Sequence, residues 1–208
     1  MTFDSEAALA WVATLADLVE ANAARLTGLD AAIGDGDHGF NMLRGLSAAR
    51  KVDGDTPGAV LTGVGRTLVS TVGGAAGPLY GTFFRRAGKA LEDAADVDPA
   101  TLGAALEAGE AGVQQLGKAE EGDKTMIDAM APAVRAYQDA VGGRADFAGA
   151  ALAALAAARE GSAAAIPLQA RKGRASYLGE RSKDHADPGA ESTVLLFEAL
   201  AQVAGGAG

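Results

Sequence analysis

The sequence predicts an all-α protein, a bundle of about eight helices forming one domain over residues 1–208. Three observations carry that expectation. Apolar residues recur at helical spacing along most of the chain, and the period-2 alternation of half-buried strands is nearly absent. Thr56-Pro57, Asp98-Pro99 and Asp187-Pro188 each place a capping side chain ahead of a proline at a first helical position. Glycine-rich or acidic breaks then separate the periodic stretches.

Taken in order, Val12, Leu15 and Val19 form the first stripe, and Phe40, Leu43 and Leu46 the second. Leu61, Val64, Leu68 and Val72 form the third, followed by Leu79, Phe83 and Ala87. Leu102, Leu106, Val113 and Leu116 make the fifth, and Met126, Met130, Val134 and Tyr137 the sixth. Leu152 and Leu155 lie in an Ala-rich stretch that Asp146 can cap, and Leu196, Leu200 and Val203 close the series. The breaks read GLDAAIGDGD, TVGGAAGP, EDAADVDP, AEEGD, VGGRAD and KGRASYLGERSKDHADPG. No internal repeat and no domain linker interrupts them. Residues 171–187 are the one long non-periodic segment, a length that is usually functional or disordered.

Bulk properties narrow the function. A 208-residue chain with 49% apolar residues can bury roughly 70% of its unfolded surface in one core. With no cysteine, disulfides and thiolate metal sites are excluded, which fits a reducing compartment. The start, MTFDSEAALA, lacks the pattern of a signal peptide, and the apolar run 147–158 is too short to span a bilayer. A cytoplasmic protein without membrane association is expected. A net charge of −9 argues against a nucleic-acid surface, and any polyanionic ligand would need local cations.

The chemistry concentrates in the breaks. Asp30, Asp35 and Asp37 put three carboxylates within eight residues, and Gly34 and Gly36 can turn the backbone so that they converge. GDGDHG formally matches the dinucleotide fingerprint, but no strand precedes it and its aspartates would repel a pyrophosphate. The EF-hand spacing fails as well. Oxygen-only ligands suit Mg²⁺ or Ca²⁺, and the helix opening near His38 to Asn41 offers amides to an anion. Carboxylates beside such amides make sense where Mg²⁺ bridges them to a phosphate. The competing reading is an acidic N-cap cluster.

TVGGAAGPLYGTFF (71–84) reads either as an amide nest for phosphate or as a tight helix–helix connection. GKAEEGDKT (117–125) is not a Walker motif, because Asp123 separates Gly122 from Lys124; it reads as a turn with Asp123 capping the next helix. Arg171, Lys172, Arg174, Arg181 and Lys183 put five of eighteen cations into thirteen positions, which suggests phosphate contact, partner docking or a solvated basic loop. His38 and His185 lack the spacing of a hydrolytic or zinc site. His38 is read as a hydrogen-bond donor to phosphate or carboxylate.

Together, TGLDAAIGDGDHGFNMLRG (27–45), VGGAAGPLYGTFF (72–84), GKAEEGDKTMIDA (117–129) and ARKGRASYLGERS with DPGA (170–190) resemble the nucleotide-binding L subunits of bacterial dihydroxyacetone kinases. The likeness spans nearly the whole chain, with the four motifs in the same order. It implies a closed antiparallel barrel of eight helices with the nucleotide held in the loops at one end. It implies that Asp30, Asp35 and Asp37 hold two Mg²⁺ on the diphosphate of ADP. His38, Gly39, Phe40, Asn41, Ala75 and Ala76 would line the phosphates; Gly117, Met126, Arg174, Asp187, Pro188 and Gly189 would contact the rest. Ala76 stands where the family commonly has Ser, and Asp184-His185-Ala186 where Gly-His-Gln is common.

The resemblance further implies phosphoryl transfer of the phosphotransferase-system type. Bound ADP is rephosphorylated by a phosphohistidine carrier subunit, and the ATP formed phosphorylates dihydroxyacetone held on a separate kinase subunit. A homodimer is the expected assembly. Three rivals stand beside this: an ATP-exchanging subunit of a two-component ketose kinase, a nucleotide-dependent partner of a transcription regulator, and a structural bundle with fortuitous acidic loops.

Overall fold

A computed structural model describes residues 2–206. Eight α-helices follow in order: α1 Ser5–Ile33, α2 His38–Ala49, α3 Pro57–Thr71, α4 Ala76–Leu91, α5 Pro99–Gly117, α6 Ile127–Gly142, α7 Phe147–Ala165 and α8 Pro188–Ala204. Among the described residues the only β-type pairing is an isolated antiparallel bridge between Phe3 and Val97. Four of the five expected capping residues perform as read. Thr56 accepts from the Ala59 amide, Asp98 from Thr101, Asp146 from Gly149 and Asp187 from Ala190.

Short connections between successive helices force antiparallel neighbours. Each helix packs on the next, and α8 returns to α1, so the all-α class resolves into a closed up-and-down barrel. Trp11 ties the closure by donating its indole N–H to the Leu196 carbonyl at 2.9 Å. Arg25 of α1 reaches Glu191 of α8 at 2.6 Å, and Glu191 also accepts from Ser162 of α7. This topology sends alternate connections to opposite ends. Residues 34–37, 72–75, 118–126 and 166–187 share one end; 50–56, 92–98 and 143–146 share the other.

The interior away from the first end is filled by aromatic rings. Phe3, Trp11, Phe83, Phe84 and Phe147 meet edge-on or tilted, with centroids 5.3 to 6.5 Å apart. Helix α1 carries an 18-residue window of mean hydropathy 1.2, long and apolar enough by composition to cross a membrane. Its apolar residues nevertheless form barrel wall: Trp11, Val12, Leu15, Val19 and Leu26 are buried against the other helices.

The structure departs from the periodic stripes at three places. Leu152 is 58% exposed because α7 buries the adjacent row Phe147, Ala151, Ala154 and Ala158 instead. Leu116 and Phe40 are 51% and 56% exposed, each in a terminal turn beyond the packed interior. The 171–187 segment also contains local order, a 3₁₀ stretch from Arg174 to Ser182 bent at Gly179. Ala170, Ala175 and Leu178 anchor it on Ile33 at the end of α1.

Candidate functional site

The four connections at the open end meet around a cavity of about 290 Å³. In the first, Asp30 sits buried in the last turn of α1. Gly34 can approach it only because it lacks a side chain, since a Cβ there would fall 2.0 Å from Asp30 Oδ1. Gly36, at φ +72°, then reverses the chain. One oxygen from each of Asp30, Asp35 and Asp37 comes within 4.8 Å of the others. Asp30 Oδ2 also accepts from the Asp37 and His38 amides at 2.9 and 3.1 Å, so α1 orients the start of α2. Arg174 reaches across to Asp35 at 3.0 Å and offsets part of the repulsion among the three carboxylates. An all-oxygen donor set of this kind fits a hard divalent cation.

In the second connection, Ala75 and Ala76 line the cavity where α4 begins without a side-chain cap. Asn41, buried on α2, faces the same space and is held by Arg44, which donates to Asn41 Oδ1 at 2.7 Å. The third connection brings Gly117 and Met126 to the wall. Here the capping expectation for Asp123 is corrected. Its carboxylate accepts backwards from the Glu120 amide, whereas Asp128 reaches back to Gly122 and Thr125 at 2.7 Å each. An acid inside the first turn satisfies those amides better than one three residues upstream.

The fourth connection supplies Lys172, Arg174, Asp187, Pro188 and Gly189. Burial pushes the Asp187 carboxyl up to about 7, with the nearby Asp128 charge adding to it and the Ala190 amide and Lys124 opposing it. Below these loops Tyr80 lies buried at the cavity wall, its hydroxyl 2.7 Å from Ser192 Oγ and 2.9 Å from Thr193 Oγ1. Burial raises this phenol to about 12, so it remains a neutral hydrogen-bonding group. His38 Nε2 meets Ser192 Oγ at 2.9 Å, so its ring is tied to α8 rather than to a carboxylate. Burial lowers the His38 pKa against the opposing charges of Asp30 and Asp37.

Of the residues expected to hold the nucleotide or metal, Gly39 and Phe40 alone do not line this cavity, and of the five cations at 171–183 only Lys172 and Arg174 do. Gly39 packs against α1, where a Cβ would meet the Ala23 carbonyl at 2.0 Å, and Phe40 turns to solvent. A larger groove of about 1120 Å³ runs along α3, α4 and α5 past Arg66, Arg85, Arg86 and Lys89. It follows the sides of helices, and its acids Asp53, Glu92 and Asp93 form no converging set among the described residues. The open-end cavity is therefore the candidate site.

The DAK2 domain matches residues 32–202, most of the chain. The chain belongs to the DAK2 family. Among its DAK2 relatives is PEP-dependent dihydroxyacetone kinase 1, ADP-binding subunit DhaL, of Listeria innocua serovar 6a. It is 45% identical over 97% of this chain and 98% of the relative. The PEP-dependent dihydroxyacetone kinase, ADP-binding subunit DhaL, of Escherichia coli K12 is 42% identical over 93% and 94%. The crystal structure of the C. freundii dihydroxyacetone kinase in complex with AMP-PNP and Mg²⁺ superposes at a TM-score of 0.67 with 28% identity, over 95% of this chain and 33% of that one. This DAK2 chain thus corresponds to about a third of that larger kinase.

Sequence reasoning missed Tyr80 and Lys124 in the wall of the DAK2 cavity, and Ser192 behind it, where it bonds His38 and Tyr80. Tyr80 and Lys124 sit inside the motifs already noted, but nothing in spacing distinguishes a wall residue from a core one. Ser192 lies four residues past the Asp187-Pro188 pair, and only the approach of α2 and α4 to α8 gives its hydroxyl partners.

Proposed function

We propose that this chain is the nucleotide-binding subunit of a soluble, cytoplasmic dihydroxyacetone kinase that draws its phosphate from a phosphoprotein. One observation carries the reading. Helices α2, α4 and α6 all begin at the aspartate-lined cavity, and none takes a cap from its own N-cap residue; Asp30 and Thr125 take up only the first amides of α2 and α6, and α4 has no such partner. Uncapped N-termini facing one cavity favour a phosphate chain, and a carboxylate triad beside them favours the cations that accompany it. The relatives' description as ADP-binding subunits supports the same ligand.

Asp30, Asp35 and Asp37 would hold two Mg²⁺, which would supply charge neutralisation for phosphoryl transfer. The helix starts at His38 to Asn41 and at Ala75-Ala76 hold the phosphates, with Tyr80 and Ser192 fixing the His38 ring from below. Gly117, Met126, Arg174 and Asp187 to Gly189 hold the ribose and base. ADP held there would carry a phosphoryl group from a phosphohistidine carrier to a hydroxyl of dihydroxyacetone on a separate subunit. Dihydroxyacetone phosphate leaves and ADP stays.

The test is to denature freshly purified protein and quantify the released nucleotide by liquid chromatography. About one ADP per chain, surviving extensive dialysis with Mg²⁺, is expected. A nucleotide-free protein that exchanges ATP freely would overturn the phosphoprotein-dependent reading in favour of an ATP-exchanging kinase.

A further inference from the structure

Lys124 is a buried cation that the proposed phosphate and metal contacts do not use. Its side chain is fully buried, it sits at φ +60°, and among the described residues no carboxylate lies within ion-pair distance. Its ammonium donates to the Ala165 and Ile166 carbonyls at 3.0 and 2.6 Å. Both carbonyls belong to the C-terminal end of α7, where the helix dipole welcomes a cation. Backbone bonds continue the same seam. The Arg171 amide donates to the Asp123 carbonyl at 3.0 Å, and the Asp184 amide to the Ile166 carbonyl at 2.9 Å.

As a core residue this lysine is a poor choice. A buried ammonium is costly to desolvate, and a left-handed backbone adds strain to a residue with a Cβ. An apolar chain of similar length would serve packing better. What the lysine adds is direction, two charge-assisted bonds that join the 118–126 connection to the start of the 166–187 connection. Those connections carry Gly117 and Met126 on one side of the cavity and Arg174 and Asp187 on the other.

We propose that Lys124 is a positioning residue that bolts the third and fourth connections together over the bound nucleotide and so sets how slowly the nucleotide leaves. The inference rests on the nucleotide-binding reading above. Without the bolt, the two connections separate independently, and the base-side wall of the cavity opens without unfolding the barrel.

The experiment loads the full chain with radiolabelled ADP and Mg²⁺ and follows release after a chase of unlabelled ADP. Lys124→Met is expected to release ADP at least about tenfold faster than the native chain, the consequence of losing a little over one hydrogen bond's worth of closure. Thr56→Ala, which weakens a helix start at the opposite end, controls for loss of stability and is expected to leave release unchanged. Unchanged release from Lys124→Met, or equal acceleration by both variants, overturns the positioning role. A native chain that binds no ADP sinks the nucleotide reading itself and this inference with it. Should Lys124→Met fail to fold, hydrogen exchange on the native protein decides. ADP must protect 119–126 and 166–187 in one concerted step, and independent opening of the two refutes the bolt.

Discussion

The two ends of the barrel are built from the same helices and the same kinds of turn, yet they treat helix N-termini in opposite ways. At the closed end α1, α3, α5 and α7 all begin with a side-chain cap, from Asp4, Thr56, Asp98 and Asp146. At the open end only α8 is capped by its own N-cap residue, Asp187, while α2, α4 and α6 are not, and only the first amides of α2 and α6 find side-chain acceptors, in Asp30 and Thr125. A helix start leaves up to four amides without intrahelical partners, and capping them locally is the stable solution. Omitting the cap at three starts that share one cavity, while keeping it at all four starts elsewhere, is what a site for an anion requires. Stability is maintained at one end so that it can be withheld at the other.

The largest break of this contrast comes from the aspartates. Asp30→Ala, Asp35→Ala and Asp37→Ala are each expected to abolish retained ADP, measured by chromatography of denatured protein, while circular dichroism shows an intact helical barrel. Stoichiometric ADP in all three would sink the cation assignment. Asp30→Ala should also loosen the start of α2, because two amides lose their acceptor.

A smaller effect follows from Asp187, the one capping residue at the open end. Its carboxyl is raised from 3.8 to about 7, so over that interval the folded state holds a proton that the unfolded state has released. Stability is then full below about pH 4 and falls as pH rises towards 7. The fall should be on the order of 2–3 kcal/mol in the nucleotide-free protein. Asp187→Asn keeps a competent cap and should flatten that slope in urea titrations at pH 4.5 and 7.5. An unchanged slope would show that the carboxyl does not titrate there.

Subtler again is to give the open end what the closed end has. Ala75→Asp supplies α4 with a cap and should stabilise the nucleotide-free protein by about 0.5–1 kcal/mol. The same carboxylate should weaken Mg-ADP binding at least roughly tenfold in titration calorimetry, by repulsion of the phosphates. Gains in both stability and affinity would contradict the idea that the cap was left out for the ligand. The smallest change is the mirror experiment, Thr56→Ala, expected to cost about 1 kcal/mol in thermal or urea unfolding with no change in ADP retention.

Much of this was legible in the residues. Helix number and the capped starts at Thr56, Asp98, Asp146 and Asp187 follow from local periodicity and short-range hydrogen bonding, which act within four or five positions. The acidic loop was legible for the same reason, since its three carboxylates lie within eight residues. The order of the motifs mattered too. In a sequential up-and-down bundle every second connection falls at the same end, so four motifs in alternate breaks are brought together by topology alone.

What local reading could not reach were relations between distant segments. Asp123 was read as a cap, yet Asp128 answers the turn's amides, a choice set by how the loop folds back. Phe40 and Leu116 fit their stripes but lie beyond the packed interior, and Leu152 yields its place to an alanine row that fits the neighbouring helices. Tyr80 and Ser192, from α4 and α8, and the reach of Lys124 to the end of α7 depend on separations of 112 and about 41 residues. The sequence by itself therefore determined which segments are helices, where the capped ones begin and which short stretch holds the carboxylates, because those are short-range matters of backbone and side-chain chemistry. Only the tertiary structure decided which helix ends face each other, which polar groups stand under the cavity and how a buried ammonium joins two of its walls. Those choices rest on closure of the barrel, which brings hydrogen-bonding partners from remote parts of the chain within 3 Å of one another.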